Sequence, residues 1–151
     1  MPGPQTKAEC FDFSCKNQYR FDDYYKAMGA QVIRITGKRN KDYDAIVLWN
    51  GHRFTVEEKV LSEEYDHLAV EILQDIDSND SGWIEYSKAD YLFWITPLHG
   101  WFVKMNMLRK YILYFGDRCS EFISTKGWGR TLNKRVGWDV IVENKIGKQL
   151  W

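Results

Sequence analysis

Asp44-Ala45-Ile46-Val47-Leu48-Trp49-Asn50-Gly51-His52-Arg53-Phe54-Thr55-Val56-Glu57-Glu58-Lys59 is the stretch from which the rest of the chain can be read. Asn-Gly between two alternating apolar runs is the strongest short signal for a two-residue hairpin, because both turn positions need positive φ. Trp49 then faces His52, and paired residue numbers sum to 101. Leu48 meets Arg53, Val47 meets Phe54 and Ile46 meets Thr55, and further out Asp44 falls opposite Glu57 and Asp42 opposite Lys59. Opposed residues project to the same face, with Cβ atoms roughly 4.5–5.5 Å apart. Asp42, Asp44, Glu57 and Lys59 therefore share one face, while Ala45, Val47, Trp49, Phe54, Val56 and Val60 form a core face. Glu58 points with the core face.

Like charges directly opposed across two strands destabilise a sheet. A divalent cation is the natural relief for Asp44 and Glu57. One or two carboxylates completed by waters and substrate phosphates is the pattern of a Mg²⁺ site. Lys59, on the same face, offsets remaining negative charge and can hold a water. A solvated edge hairpin with scattered charges is the plainer alternative, and a one-residue slip in register would remove the cluster.

Outward from the hairpin, residues 1–16 read as an irregular N-terminal arm carrying Pro2, Gly3 and Pro4. Asn17 can cap a helix through Tyr19, Phe21, Tyr24, Tyr25 and Met28, with Gly29 at its C′ position. Ala30–Thr36 reads as a strand and Gly37–Lys41 as a basic turn. Glu63–Ile76 has apolar residues at Leu68, Ala69, Ile72, Leu73 and Ile76, a spacing that predicts a helix. Asp77–Gly82 reads as a polar loop, Ala89–Ile95 as a buried strand stopped by Pro97 and Gly100, and Trp101–Phe115 as a helix. A glycine-rich tail follows, with a short strand near Val140–Val142. This order predicts an α/β fold in one domain over 17–151, with a core over 17–115 and a basic, aromatic C-terminal region over 116–151.

The chain has 151 residues, 44% of them hydrophobic, with seven Trp and nine Tyr. That is enough to build a core and argues against disorder. Net charge is zero, but it is unevenly placed. Glu57–Asp90 holds eleven acids against two bases, and Lys104–Arg135 eight bases against two acids. Two solvated faces would explain this. So would a protein that holds cations in one place and phosphates in another. Lys104, Lys126, Arg130, Lys134 and Arg135, set among Trp128 and Trp138, are the candidate nucleic-acid contacts. Three cysteines without a CxxC predict neither a disulfide framework nor a zinc site, and fit a cytoplasmic protein. The absence of a leader-like apolar segment and of any 18-residue apolar run argues against secretion and membrane spanning.

The acid on one strand followed by Glu57-Glu58-Lys59 on its neighbour resembles the PD-(D/E)xK nuclease superfamily, with Tyr43 where the pattern has Pro. Leu68-Ala69-Val70-Glu71, Ser81-Gly82-Trp83-Ile84 and Ser87-Lys88-Ala89-Asp90-Tyr91 look like a phage and prophage subset of it. The resemblance covers roughly residues 17–115. It implies a restriction-endonuclease-like core: a mixed four-stranded sheet with a central β-hairpin flanked by helices, in the order strand, strand, strand, helix, strand. It also implies a Mg²⁺- or Mn²⁺-dependent nuclease, of endonuclease type, acting on DNA in the cytoplasm of a bacterial or phage-infected cell. Homodimers are common in such enzymes. By resemblance Asp44 and Glu57 would bind the metal, with the Glu58 carbonyl as a third ligand. Lys59 would position or activate the attacking water. Glu71 would be a further ligand or a supporting group. Asp22 or Asp23 could supply an extra acid from the first helix, although a solvated helix face is the preferred reading for both.

Two other readings stand beside this one. The first is a non-catalytic nucleic-acid-binding protein on the same fold. The second is a calcium-binding interaction protein, suggested by Asp77-Ser78-Asn79-Asp80-Ser81-Gly82-Trp83-Ile84. An EF-hand loop needs a bidentate Glu at position twelve, where this chain has Lys88.

Overall fold

In the computed structural model, which describes residues 7–35, 42–125 and 129–151, the Asn50-Gly51 turn has the expected backbone, with φ of 49° and 76°. The elements are α1 (Lys7–Asn17), α2 (Tyr19–Met28), β1 (Gln31–Arg34), β2 (Ala45–Trp49), β3 (His52–Val60), β4 (His67–Asp75), β5 (Asp80–Ser81), α3 (Trp83–Tyr86), β6 (Tyr91–Ile95), β7 (Gly100–Lys104), α4 (Met105–Phe115), β8 (Glu121–Ser124), β9 (Thr131–Gly137), α5 (Trp138–Glu143) and β10 (Gly147–Gln149).

The strands form two sheets. One is six-stranded, in the order β1-β2-β3-β6-β7-β10, and mixed: β3 is antiparallel to β2 and parallel to β6. The hairpin register is the expected one from Trp49 opposite His52 to Ala45 opposite Val56. The second sheet has the order β5-β4-β9-β8. The protein is therefore α/β with a mixed sheet, as expected, but the sheet has six strands rather than four, and a second sheet lies beside it.

Alternation along β3 sends its side chains into two different interiors. Val56 joins Phe21 and Tyr25 of α2, Val47, Phe93 and Ile95 in a core on one side of the large sheet. Phe93 sits at its centre, edge-on to Phe21 and Tyr25 at centroid distances of 5.1 and 5.6 Å. On the other side, Leu92 and Trp94 meet Leu68 and Val70 of β4, Val136 of β9, and Met105 and Leu108 of α4. Fully burying each such side chain contributes roughly 1.5–3 kcal/mol.

Several expectations need correction. Residues 7–16, expected to lie in an irregular arm, are helical, and the α2 cap position is Gln18 rather than Asn17, which ends α1. Gly29 does close α2 in the left-handed conformation, with φ 75°. Glu63–Ile76 is not a helix. Its centre is β4, with Leu68 and Val70 fully buried at strand spacing. A β-bulge between Glu71 and Leu73, seen in the pairing with β9, adds one residue to the count. That extra residue makes the apolar positions mimic helical spacing. The link from β3 to the parallel β6 is thus built from β4, β5 and the one-turn α3 instead of a long helix. Residues 100–104 are a strand hairpinned with β6, so the following helix begins only at Met105. Val140–Val142 lies in α5, and the strands of the C-terminal region are β8, β9 and β10. Thr36, the turn at 37–41 and Lys126 fall outside the described residues.

Candidate active site

Asp44 stands just before β2, and its Oδ2 accepts the backbone N–H of Glu58 at 2.7 Å, which ties it to β3. Two residues apart on β3, Glu57 and Lys59 form an ion pair at 3.2 Å. The other Glu57 oxygen accepts the Ser87 hydroxyl at 3.1 Å, and the same hydroxyl donates to the Asp42 carbonyl. Asp42 does not continue the ladder to Lys59; it takes the Lys88 backbone N–H and pairs with the Lys88 amine at 3.5 Å.

Glu71 reaches the same neighbourhood by an unexpected route. It lies on β4, on the second sheet, and its Oε1 accepts the Trp83 N–H at 3.2 Å. Tyr86 is the fifth titratable member of the cluster.

Burial raises the Glu57 pKa above the ordinary carboxylate range; Lys59 opposes this and the Asp44 charge reinforces it. Burial also disfavours the Lys59 ammonium, but the negative charge of Glu57, with those of Glu71 and Asp44 in support, outweighs it and raises the Lys59 pKa. Three carboxylates thus act on one amine, and the uncompensated charge is negative. Lys59 is more accessible than its partner, with its side chain 33% exposed against 7% for Glu57. It lines a cleft of about 430 Å³ between the sheets, together with Glu71, Trp83, Trp94 and Asn133. It also lines a cleft of about 270 Å³ that contains Asp44.

Among the described residues, no three His, Cys, Asp or Glu side chains are grouped so as to hold a metal by themselves. The expected side-chain ligands Asp44, Glu57 and Glu71 therefore do not form such a group, and Glu58 is expected to contribute only its carbonyl. The Glu58 carboxylate lies on the opposite face, bound by Arg34 at 2.5 Å and by the Tyr25 hydroxyl at 2.8 Å. What remains for a cation is Asp44 with Glu57, hard oxygen donors in a locally anionic setting. Their chemistry fits an ion that keeps most of its waters, as Mg²⁺ does.

Asp22 pairs with Arg34 at 2.6 Å on that far face, and Asp23 is solvent-exposed, as the plainer reading has it. The Asp77–Gly82 segment holds the β4–β5 turn and β5 itself; there Arg130 takes Asp77 and Ser78 bridges Asp75 and Asp80. Of the expected nucleic-acid contacts, Arg130 is thus ion-paired. Lys134 is largely buried against Glu121 and the Gly116 carbonyl. Arg135 lies 4.4 Å over the Phe122 ring and lines the larger cleft. Lys104 is exposed at the start of α4.

Ser87, Tyr86 and Arg34 were not anticipated as partners. Arg34 stands opposite Ala45, which stands opposite Val56, so it lies in the row that shares a face with Glu58. The sequence marks the strand, but with residues 35–44 between β1 and β2 nothing local sets its register. Ser87 carries no signal of its own before the β3–β6 pairing is known.

A mixed sheet that carries an acid, an acid and a lysine on adjacent strands, backed by a second sheet, defines an α/β protein with a candidate acid–lysine centre. No protein-family model matches the chain, and no curated protein matches it. Among solved structures the chain is similar to Hjc of Archaeoglobus fulgidus, a Holliday junction resolvase from an archaeal hyperthermophile. That match has a TM-score of 0.49 and 12% identity, and covers 90% of this chain and 95% of that one. No helix among the described residues is long and apolar enough to cross a membrane.

Proposed function

We propose that the protein is a metal-dependent nuclease that hydrolyses phosphodiester bonds of DNA, of endonuclease type, with Asp44, Glu57 and Lys59 at its centre. One observation carries this reading: a largely buried carboxylate, Glu57, is paired with a cleft-lining amine and placed beside a second carboxylate, with net negative charge left over. Asp44 and Glu57 would hold Mg²⁺ or Mn²⁺, with the Glu58 carbonyl as a further donor. When bound, the ion supplies a polarised phosphoryl oxygen, a bound water of lowered pKa and charge stabilisation at the departing oxygen.

The chain's own groups do the rest. With its raised pKa, Lys59 is an ammonium at neutral pH. An ammonium cannot accept a proton, so its role is to orient the attacking water and to meet negative charge developing on the phosphoryl oxygens. Ser87 fixes the Glu57 rotamer through its hydroxyl. Glu57 does most to keep Lys59 protonated, and Glu71, anchored to the Trp83 N–H, adds to it.

The test is incubation of the purified chain with supercoiled, linear, single-stranded and four-way-junction DNA, and with RNA, in Mg²⁺, Mn²⁺ or EDTA. Cleavage that needs a metal and is lost in Asp44→Ala and Lys59→Ala is the expected result. Intact substrates under every condition, or a Lys59→Ala variant that cuts like the parent, would overturn the reading.

A further inference from the structure

Beyond the acid–lysine centre, the strongest unassigned feature is a groove of about 640 Å³ whose lining includes Arg53, Lys88, Asp90, Tyr91, Lys104 and Arg109. Four cations face one carboxylate there. That carboxylate is already engaged, since Asp90 Oδ2 accepts both the N–H and the hydroxyl of Thr55, at 2.9 and 3.1 Å. Arg53 and Lys104 are exposed and make no ion pair among the described residues. Arg109 is only partly exposed. Its Nε donates to the Ile84 carbonyl at 2.7 Å and its Nη2 to the Ser87 carbonyl, and no carboxylate among the described residues pairs with it. A partly desolvated guanidinium without a counter-charge, beside two unpaired cations, is an electrostatic cost that an anion would remove.

We infer that this groove binds phosphate groups of a nucleic-acid strand and leads that strand to the Glu57–Lys59 centre. The link between the two places is Ser87, whose carbonyl holds Arg109 and whose hydroxyl holds Glu57. Arg is suited to phosphate by its fork of donors, and Lys supplies a point charge. The choice of a nucleic acid as the phosphate carrier rests on the nuclease reading; the need of the groove for an anion does not.

The experiment measures binding of fluorescent oligonucleotides to the full chain in EDTA, over a range of salt concentrations. Three proteins are compared: the parent, Arg53→Ala/Lys104→Ala, and a control, Lys26→Ala/Lys110→Ala, which removes two exposed cations outside the groove. Loss of two phosphate contacts should weaken binding on the order of tenfold and flatten the log–log salt slope by about 1.4 for single strands and about 1.8 for duplex. The control should bind like the parent. Paired 5′-phosphorylated and 5′-hydroxyl strands separate the two sources of phosphate. A preference for the phosphorylated end assigns the groove to a terminal monoester, and equal binding assigns it to internal diesters.

Parent-like affinity and salt slope in the groove variant, an equal loss in the control, or no binding by the parent would each overturn the inference. Because EDTA suppresses metal-dependent cleavage, the two readings fail separately. A chain that binds through the groove but never cuts defeats only the nuclease assignment. A chain that cuts, with the groove variant binding normally, defeats only the groove.

Discussion

Glu57 and Glu58 are neighbours on one strand, with side chains 7% and 6% exposed, yet they live in opposite electrostatic worlds. Glu58 is saturated: Arg34 meets both its oxygens, Tyr25 donates a hydroxyl, and Asp22 holds Arg34 from behind. Burial still raises the Glu58 pKa, against the pull of Arg34 and Tyr25. Glu57 has one lysine and one serine, and two more carboxylates share that lysine. The first arrangement ties α2 and β1 to β3. The second leaves charge unspent beside a cleft. Equal burial therefore does not imply equal neutralisation: Glu58 is matched by Arg34 and Tyr25, whereas Glu57 shares one lysine with two other carboxylates.

The contrast can be broken most decisively on the Glu57 side. Asp44→Ala, Glu57→Ala and Lys59→Ala should each lower cleavage by at least about 10²-fold while the circular dichroism spectrum stays that of the parent. On the Glu58 side the outcome should reverse. Arg34→Ala leaves Glu58 buried without its cation and should cost about 3 kcal/mol in urea unfolding, with cleavage retained by the folded fraction. If Arg34→Ala instead kills cleavage at unchanged stability, the two glutamates have been assigned the wrong way round.

A smaller loss is expected at Gly82, where an added Cβ would lie 2.2 Å from the Glu71 carbonyl oxygen and 2.8 Å from the Ile72 carbonyl carbon. Gly82→Ala must push α3 off β4, and should cost about 2 kcal/mol. It should also lower activity, because Trp83 then no longer anchors Glu71. Tyr25→Phe, which deletes one hydrogen bond to a charged group, should cost about 1.5 kcal/mol and leave cleavage unchanged.

The pH response sharpens the comparison further. Burial raises Glu57 above the ordinary glutamate range, so in that window the folded chain binds more protons than the unfolded one. Stability in EDTA should then fall as pH rises from about 4 through the Glu57 pKa. Mg²⁺, competing with that proton, should raise the melting temperature more at neutral than at acid pH. Glu57→Gln should abolish the Mg²⁺ effect and Tyr25→Phe should retain it. An equal Mg²⁺ shift at both ends of the range would remove the ion from Glu57.

How much of this could be read beforehand depended on whether the information was local. Asn50-Gly51 specifies its own turn, and with it every pair from Trp49–His52 to Ala45–Val56, so the hairpin and the faces of Glu57, Glu58 and Lys59 were legible. β4 was not, because its bulge near Ile72 disguises the period of two, and because its main partner, β9, lies some sixty residues away in a stretch that reads as a basic tail. The Ser87 contact depends on β6 pairing parallel to β3, which no local pattern announces. Lys134 reads as a phosphate contact in the sequence because its burial against Glu121 arises only from the β8–β9 pairing.

β3 is zipped on both flanks, antiparallel to β2 and parallel to β6. Its position along the sheet works like the notch of a ratchet with only one usable tooth. Adding a single residue between Trp49 and His52, with the tight turn kept, would bring Val56 opposite Asp44, carry Glu57 to the Arg34 side where Glu58 now stands, and put Glu58 in the place of Lys59. Natural length variation at this bend should therefore be absent or come in pairs, and the bend is the last place to graft a tag or a loop.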